Sequence, residues 1–289
     1  MTARRVSIDG QIHPAAEATV PVTDRGFMYG DGIFETLRIY GGQIFAWDSH
    51  RQRLRHGCDR LGIDLRVDDA TLEEWIDALV AANDLTEAYL KIMVSRGVTG
   101  GRLRPPRGAT PTVVIVCEPL ARGGHRGAPV WETPAACATV ETQRTPDAAI
   151  PSELKPLAYL NGIVAHLEAP AWTDEPLLRD ATGHITEGAV SNLFIVTDAG
   201  LQTPPAGGDL LAGVTRTLVC ELAAAEGLPV REDHITPELL YAADEAFLTN
   251  TTWEIRPIDR VDAVEYDPGP VTALLQHRFD DEVERFAYA

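Results

Sequence analysis

Apolar and polar positions along the chain follow two periods. A period of two runs through Ile33-Phe34-Glu35-Thr36-Leu37-Arg38-Ile39-Tyr40, and after Gly41-Gly42 a second run goes from Gln43 to Trp47. Together they predict a β-hairpin turned on the glycine pair. Val6 to Ile12 reads as a short strand with a turn at Asp9-Gly10, and Thr23 to Gly32 is too rich in glycine for a regular element. The helical spacing of Leu54, Cys58 and Leu61 predicts a helix capped by Asp48 or Ser49 and stopped near Gly62, with Arg53 beside its apolar stripe. A second helix is expected from Thr71, where Glu74 completes a capping box, to Asn83. Ala88 to Ser95 and Thr112 to Glu118 read as strands joined by the loop Arg96 to Pro106.

Leu120 to Gly127 has the composition of an interdomain linker. Beyond it, strands are expected at Cys137 to Glu141, Leu177 to Arg179, Ile185 to Thr186, Asn192 to Thr197 and Ala246 to Thr249. Helices are expected at Asn161 to Glu168, from Gly213-Val214-Thr215 to Gly227 on a stripe of Val214, Leu218 and Leu222, and at Pro270 to Phe286. A chain of 289 residues is long for one core. This pattern predicts an α/β (α+β) protein with a small N-terminal α/β domain over 1–119, a linker over 120–127 and a larger C-terminal domain over 128–289.

Composition narrows the function. A net charge of −18 argues against a direct role on nucleic acid or an anionic membrane, since phosphate partners need a basic surface. The four cysteines lie far apart, with no zinc-ligand spacing, and read as small buried hydrophobes; no metal is expected. The N-terminus lacks an apolar signal core and no run approaches a membrane span, which points to the cytoplasm. Of the 25 cationic side chains only Lys91 and Lys155 are lysine. Arginine stays protonated and forms no Schiff base, so these positions suit an amine that can lose its proton, although either is also explained as a plain structural residue. The arginines of the loop Arg96 to Pro106 either hold a carboxylate or form a solvated tip.

Taken in order, Lys155, Thr186-Glu187-Gly188-Ala189-Val190-Ser191-Asn192, Leu211-Ala212-Gly213-Val214-Thr215-Arg216 and Thr249-Asn250-Thr251-Thr252 resemble the class IV aminotransferases, pyridoxal phosphate enzymes of fold type IV. Asp24-Arg25-Gly26, Tyr29-Gly30-Asp31-Gly32-Ile33-Phe34-Glu35 and His50-x-x-Arg53-Leu54 extend the match over about residues 5–262. The resemblance implies an active site between the two domains and near a dimer interface, hence a homodimer. It makes Lys155 the Schiff-base residue and proton shuttle, and Glu187 the carboxylate at the pyridine nitrogen. Lys155, buried beside an apolar helix, is expected to have a lowered pKa. Arg53, the amides of Val214 and Thr215, Thr251 and its neighbour Asn250 would hold the phosphate. Tyr159 either faces the cofactor's phenolic oxygen or packs in the core. Phe34, Arg25, Arg96 and Thr252 are placed toward the substrate.

Three activities share this scaffold: transamination of D-amino acids, transamination of branched-chain L-amino acids, and lysis of 4-amino-4-deoxychorismate to 4-aminobenzoate and pyruvate. Known D-amino acid enzymes of the family trap the substrate carboxylate with an Arg-x-His pair; here the stretch is Thr99-Gly100-Gly101-Arg102-Leu103-Arg104, without histidine. Arg96, or Arg25 from a neighbouring subunit, is expected to supply the missing charge. The strand Phe34 to Arg38 and the Arg-Gly-x-x-Gly-Gly-Arg loop also resemble the lyase branch, and the Gly-Gly-Asn of the branched-chain branch is missing between Lys155 and Tyr159. The expected reaction is ping-pong amino transfer between a D-amino acid and a 2-oxo acid, with some activity on (R)-amines. The lyase ranks second and the branched-chain enzyme third.

Overall fold

The N-terminal alternation folds back on Asp9-Gly10, so that β1 (Arg5–Ile8) and β2 (Gln11–Pro14) form a hairpin. In the computed structural model, which describes residues 4–106, 108–121 and 133–288, the glycine-rich stretch that follows is partly helical. A short helix α1 (Arg25–Tyr29) forms because the Asp24 carboxylate accepts from the Gly26 amide at 2.7 Å and Gly30 closes the helix in the left-handed region. The hairpin of β3 (Gly32–Tyr40) and β4 (Gln43–Ile44) turns on Gly41-Gly42.

Helix α2 (Trp47–Leu61) starts two or three residues earlier than its polar residues suggest. Ala46, in the left-handed region, ends the preceding backbone and leaves no side-chain cap, while Asp48 sits in the first turn near the positive end of the helix dipole. Helix α3 (Asp69–Ala82) is capped by Asp68, whose carboxylate takes the Thr71 amide at 2.8 Å, rather than by Thr71 and Glu74. Strands β5 (Ala88–Ser95) and β6 (Thr112–Pro119) complete this part of the chain.

Two compact units result, one of Met1–Ala121 with Lys155–Ala158, the other of Arg122–Leu154 with Tyr159–Ala289. Most of the segment read as a linker, residues 122–127, lies outside the described residues. In the first unit the described strands form one antiparallel sheet in the order β2-β1-β6-β5-β3-β4. Alternation sends Ile33, Leu37 and Ile39 of β3 and Leu90, Ile92 and Val94 of β5 to the face covered by Leu54 and Cys58 of α2 and by Leu72, Ile76 and Leu79 of α3. Each such leucine or isoleucine stabilises the unit by roughly 1.5–3 kcal/mol. The other face of β3 and β5 carries Phe34, Thr36, Arg38, Tyr89 and Lys91.

In the second unit, β7 (Ala135–Gln143), α4 (Leu160–Glu168), β8 (Glu175–Arg179), β9 (Ile185–Gly188), β10 (Asn192–Thr197) and β11 (Gly200–Thr203) precede α5 (Val214–Ala225). Then follow β12 (Val230–Glu232), α6 (Pro237–Tyr241), β13 (Glu245–Asn250), β14 (Glu254–Val261), β15 (Val264–Glu265) and α7 (Pro270–Tyr288). The sheet runs β12-β11-β10-β13-β14-β7-β8-β9, with β15 on β14, and closes on itself where Glu187 of β9 pairs Asn192 of β10. Helix α5 buries Thr215, Arg216, Val219 and Ala223; the expected stripe of Val214, Leu218 and Leu222 is only half-buried. The buried face is rotated by one residue because α5 packs on both β13 and α7.

Gly32 is demanded by close approach. A Cβ on Gly32 would lie 2.3 Å from the Val94 carbonyl oxygen and 2.6 Å from Leu157 Cδ1. Gly32→Ala is therefore expected to lower stability by about 1–3 kcal/mol and to loosen the Lys155–Ala158 segment. Urea unfolding with amide exchange at Phe34 tests this, and an unchanged midpoint with full Phe34 protection would refute it.

Candidate active site

Lys155 is seated by backbone. The Phe34 amide donates to the Lys155 carbonyl at 2.9 Å, the Leu157 amide donates to the Gly32 carbonyl at 3.0 Å, and Ile33 and Pro156 form an antiparallel bridge between them. The segment thus occupies the edge of β3 that β4 leaves open. Lys155 Nζ lies 4.8 Å from the centre of the Phe34 ring, and Lys91 Nζ lies 4.2 Å from the same centre. The chain's two lysines therefore share one aromatic ring. Lys155 is half-buried on this sheet-borne ring, not buried beside an apolar helix as the sequence suggested. Burial lowers the pKa of Lys91.

Arg53 on α2 meets Glu35 of β3 as a fork. Its Nε donates to Glu35 Oε1 at 2.7 Å and one terminal nitrogen donates to Oε2 at 2.9 Å. His50, one turn earlier, places Nδ1 2.9 Å from Glu35 Oε2. Burial of Glu35 pushes its carboxyl up, but the Arg53 charge and the hydrogen bonds from Arg53 and His50 outweigh it and bring the pKa down to about 2. Burial lowers the His50 pKa against the pull of Glu35, so the ring is neutral and its Nδ1–H donates to the carboxylate.

Arg96 and Arg25 are both committed to Asp31. Arg96 donates from Nε and a terminal nitrogen to the two Asp31 oxygens at 2.8 and 3.0 Å, and to the carbonyls of Leu61 and Gly62. Arg25 donates to Asp31 at 2.6 Å and to the carbonyls of Arg102 and Leu103. Burial raises the Asp31 pKa, and the two arginines more than reverse this. Their guanidinium groups thus brace α1, the end of α2 and the loop after β5.

Arg38 is different. It is 1 % exposed, its nearest carboxylate oxygen is Glu87 Oε2 at 3.6 Å, and none of its three guanidinium nitrogens has a hydrogen-bond partner. A buried guanidinium without acceptors is costly unless an anion completes it. By strand alternation it shares its face of β3 with Phe34.

In the second unit Glu187 stands at the seam of the closed sheet. Arg144 Nε donates to its Oε1, while Oε2 accepts from the Leu211 amide at 3.1 Å and from Asn192 Nδ2 at 3.4 Å. Gly213 is the N-cap of α5 and no side chain caps this twelve-residue helix, so the first-turn amides of Val214 and Thr215 suit a phosphate. Asn250 Oδ1 accepts from the amides of Thr252 and Trp253 and from the Thr252 hydroxyl, shaping the turn that carries Thr251. Tyr159 is half-buried at the start of α4. Asp180, His184 and His234 bring metal-ligand atoms within 4.8 Å of one another, and the two imidazoles stack with ring centres 4.6 Å apart.

The sequence reading did not single out Arg144, Glu35 as the partner of Arg53, or Lys91 as a neighbour of Phe34. The depressed Glu35 pKa has a measurable consequence. Its folded value lies below the ordinary 4.5, so its stabilisation is present above pH 4.5 and is lost as the pH falls toward 2. The contribution is on the order of 3 kcal/mol. Glu35→Gln is expected to remove this part of the acid sensitivity; parallel curves of urea midpoint against pH for the two proteins would contradict it.

A sequence profile for the family described as amino-transferase class IV matches residues 32–261. A putative branched-chain-amino-acid aminotransferase of Methanocaldococcus jannaschii is 34% identical over 96% of each chain, and a D-alanine aminotransferase of Listeria innocua is 30% identical over 97% of this chain and 96% of the other. The crystal structure of a branched-chain aminotransferase from the thermophilic archaeon Thermoproteus uzoniensis, with norvaline, superposes with a TM-score of 0.88 at 31% identity, covering 96% of this chain and 94% of that one. The chain belongs to the class IV aminotransferases.

Proposed function

We propose that this chain moves an amino group between a D-amino acid and a 2-oxo acid, in a ping-pong cycle with pyridoxal 5'-phosphate as cofactor. The observation that carries the reading is the seating of Lys155, whose carbonyl is bonded to the Phe34 amide and whose amine lies over the Phe34 ring. When bound, the cofactor supplies an electron-withdrawing ring conjugated to the substrate's Cα. Lys155 is assigned to hold the cofactor covalently and, once displaced by the incoming amine, to carry the proton away from Cα. The Phe34 ring limits the amine's excursions and keeps water from one side of it. Glu187, held by Arg144, the Leu211 amide and Asn192, is assigned to the ring nitrogen.

Arg53, oriented by Glu35, is assigned to the phosphate together with the amides of Val214 and Thr215 and the turn of Asn250 and Thr251. Tyr159 is assigned to the cofactor ring and Thr252 to the substrate. For the substrate carboxylate, Arg38 and Lys91 now take precedence over Arg25 and Arg96, because Asp31 and backbone carbonyls already engage the latter pair. The amino donor leaves as a 2-oxo acid, and a second 2-oxo acid receives the amino group. Preference for the D-series rests on the missing Gly-Gly-Asn between Lys155 and Tyr159. A second reading, transfer from branched-chain L-amino acids, is favoured by the relative that is 34% identical.

The working form is proposed to be a cytoplasmic homodimer. No helix among the described residues is long and apolar enough to cross a membrane. Helix α4 exposes Leu160, Ile163, Val164 and Leu167 by 67%, 52%, 43% and 81%, an apolar stripe at helical spacing that a second copy would cover.

Coupled assays with D-alanine and L-leucine, each with 2-oxoglutarate, and a separate assay with aminodeoxychorismate decide the substrate. Turnover of D-alanine above L-leucine is expected, and release of 4-aminobenzoate without amino transfer would overturn the reading. Lys155→Ala is expected to abolish turnover, while Lys91→Met and Arg38→Met raise KM for amino acids at least tenfold more than for (R)-1-phenylethylamine. Equal effects on both substrates would remove the carboxylate role. Light scattering after chromatography is expected to give a dimer, weakened in Leu160→Glu/Leu167→Glu; an unchanged mass would exclude the α4 stripe as the contact.

A further inference from the structure

We propose that Glu175 is a positioning residue that clamps the turn after Glu187 and so fixes where the Glu187 carboxylate stands. The inference rests on the reading above, in which Glu187 faces the cofactor ring, and goes beyond it to a side chain outside that set.

Glu175 opens β8 and is fully buried. Its Oε1 accepts from the Val190 amide at 2.8 Å and from the Ser191 hydroxyl at 2.7 Å. These residues lie in the tight turn between β9 and β10, closed by the Gly188 amide donating to the Ser191 carbonyl at 2.7 Å. The Ala189 amide donates to the carbonyl of Pro176, the next residue of β8. Every residue of the turn is thereby tied to the start of β8 or to the turn's own closure, and Glu187 and Asn192 flank it as the bridge that closes the sheet.

Gly188 carries the complementary mark. A Cβ there would lie 2.3 Å from Glu175 Oε1 and 2.4 Å from the Ser191 hydroxyl, so glycine clears the volume that the carboxyl group occupies. Such packing around one oxygen is what a residue set to hold a geometry requires.

The second oxygen tells of the carboxyl's charge state. Oε2 is buried without a hydrogen-bond partner, and His166 Nε2 on α4 lies 3.7 Å from it. Glu187 on β9 adds negative charge nearby, Arg256 on β14 adds positive charge, and Cys137 on β7 and Asp174 face the same region. Burial raises the Glu175 pKa to about 7, with Glu187 pushing the same way, against the bonds from Val190 and Ser191 and the charge of Arg256. Below neutral pH the protonated form therefore predominates, and there the clamp adds little negative charge beside Glu187.

Three variants test this. Glu175→Gln keeps an acceptor oxygen and removes the titration, Ser191→Ala removes one bond, and Glu175→Leu removes the acceptor. In protein freed of cofactor, exchange of the Val190 amide is expected to rise at least tenfold in Glu175→Leu and several-fold in Ser191→Ala, and to stay near wild type in Glu175→Gln. A folded pKa above the ordinary 4.5 means the group's stabilisation is full below pH 4.5 and lost as pH rises toward 7, so Glu175→Gln should gain on wild type across that window. In loaded protein, Glu175→Leu should weaken pyridoxal phosphate binding at least tenfold and shift the visible band as Glu187→Gln does, with rescue by glutamine. Unchanged Val190 exchange in Glu175→Leu, or a glutamine variant as impaired as leucine, would overturn the proposal. A visible band moved by Glu187→Gln but not by Glu175→Leu would overturn it while leaving the role of Glu187 intact; a band unmoved by Glu187→Gln would refute that role first.

Discussion

The carboxylate of Glu35 joins the first sheet to the helix that covers it. Inside an apolar layer of isoleucines and leucines, a charge is tolerable only if its oxygens are occupied, and here Arg53 and His50 occupy them from one face of α2. The pairing fixes the rotation of α2 about its own axis, because residues 50 and 53 must both point at β3. It also removes the conformational freedom of a long guanidinium before any phosphate arrives, which is how a binding group is pre-organised. Stability and the phosphate role proposed for Arg53 thus draw on one ion pair.

A comparable economy governs the positive charges. In a chain of net charge −18, cations are scarce, and those near the proposed site divide by what already occupies them. Arg25 and Arg96 are absorbed by Asp31 and by carbonyls at the ends of α1, α2 and the loop after β5, where they act as braces. Lys91 and Arg38 stand on the face of the sheet that bears Phe34, Lys91 over that ring and Arg38 buried without a hydrogen-bond partner. A loop position next to glycines suggested the first pair to a reader of sequence, while burial and partners, which have no local signature, favour the second.

The same contrast explains how much of the protein was legible in advance. Ala88–Ser95 was readable to the residue because its period-two pattern is also its packing pattern, and Asn192–Thr197 because it is a short continuous apolar run, buried on both faces. Caps were less so: Asp68 outcompeted Thr71, and α2 began on a left-handed alanine that no propensity rule selects. The stripe of α5 was displaced by one position because several neighbours, not one, press on it. Lys155, Glu187 and Arg53 stood out through their order and spacing. Arg144 and Glu175 did not, since each meets its partner across a long stretch of intervening chain and looks, in sequence, like any surface charge.

The backbone pairing of Lys155 with β3 also orders events in time. Residues 32–34 and 155–157 are separated by more than a hundred positions, so the edge of β3 keeps free amide and carbonyl groups until the chain has been made well past the first sheet. Closing so long a loop is slow compared with forming the hairpins around it. The first unit, although nearly continuous in sequence, is completed by four residues borrowed from later in the chain, and those four include the amine. A nascent chain that stopped after the first sheet would hold the helix, the sheet and the paired arginine, and would still lack the lysine and the whole second unit.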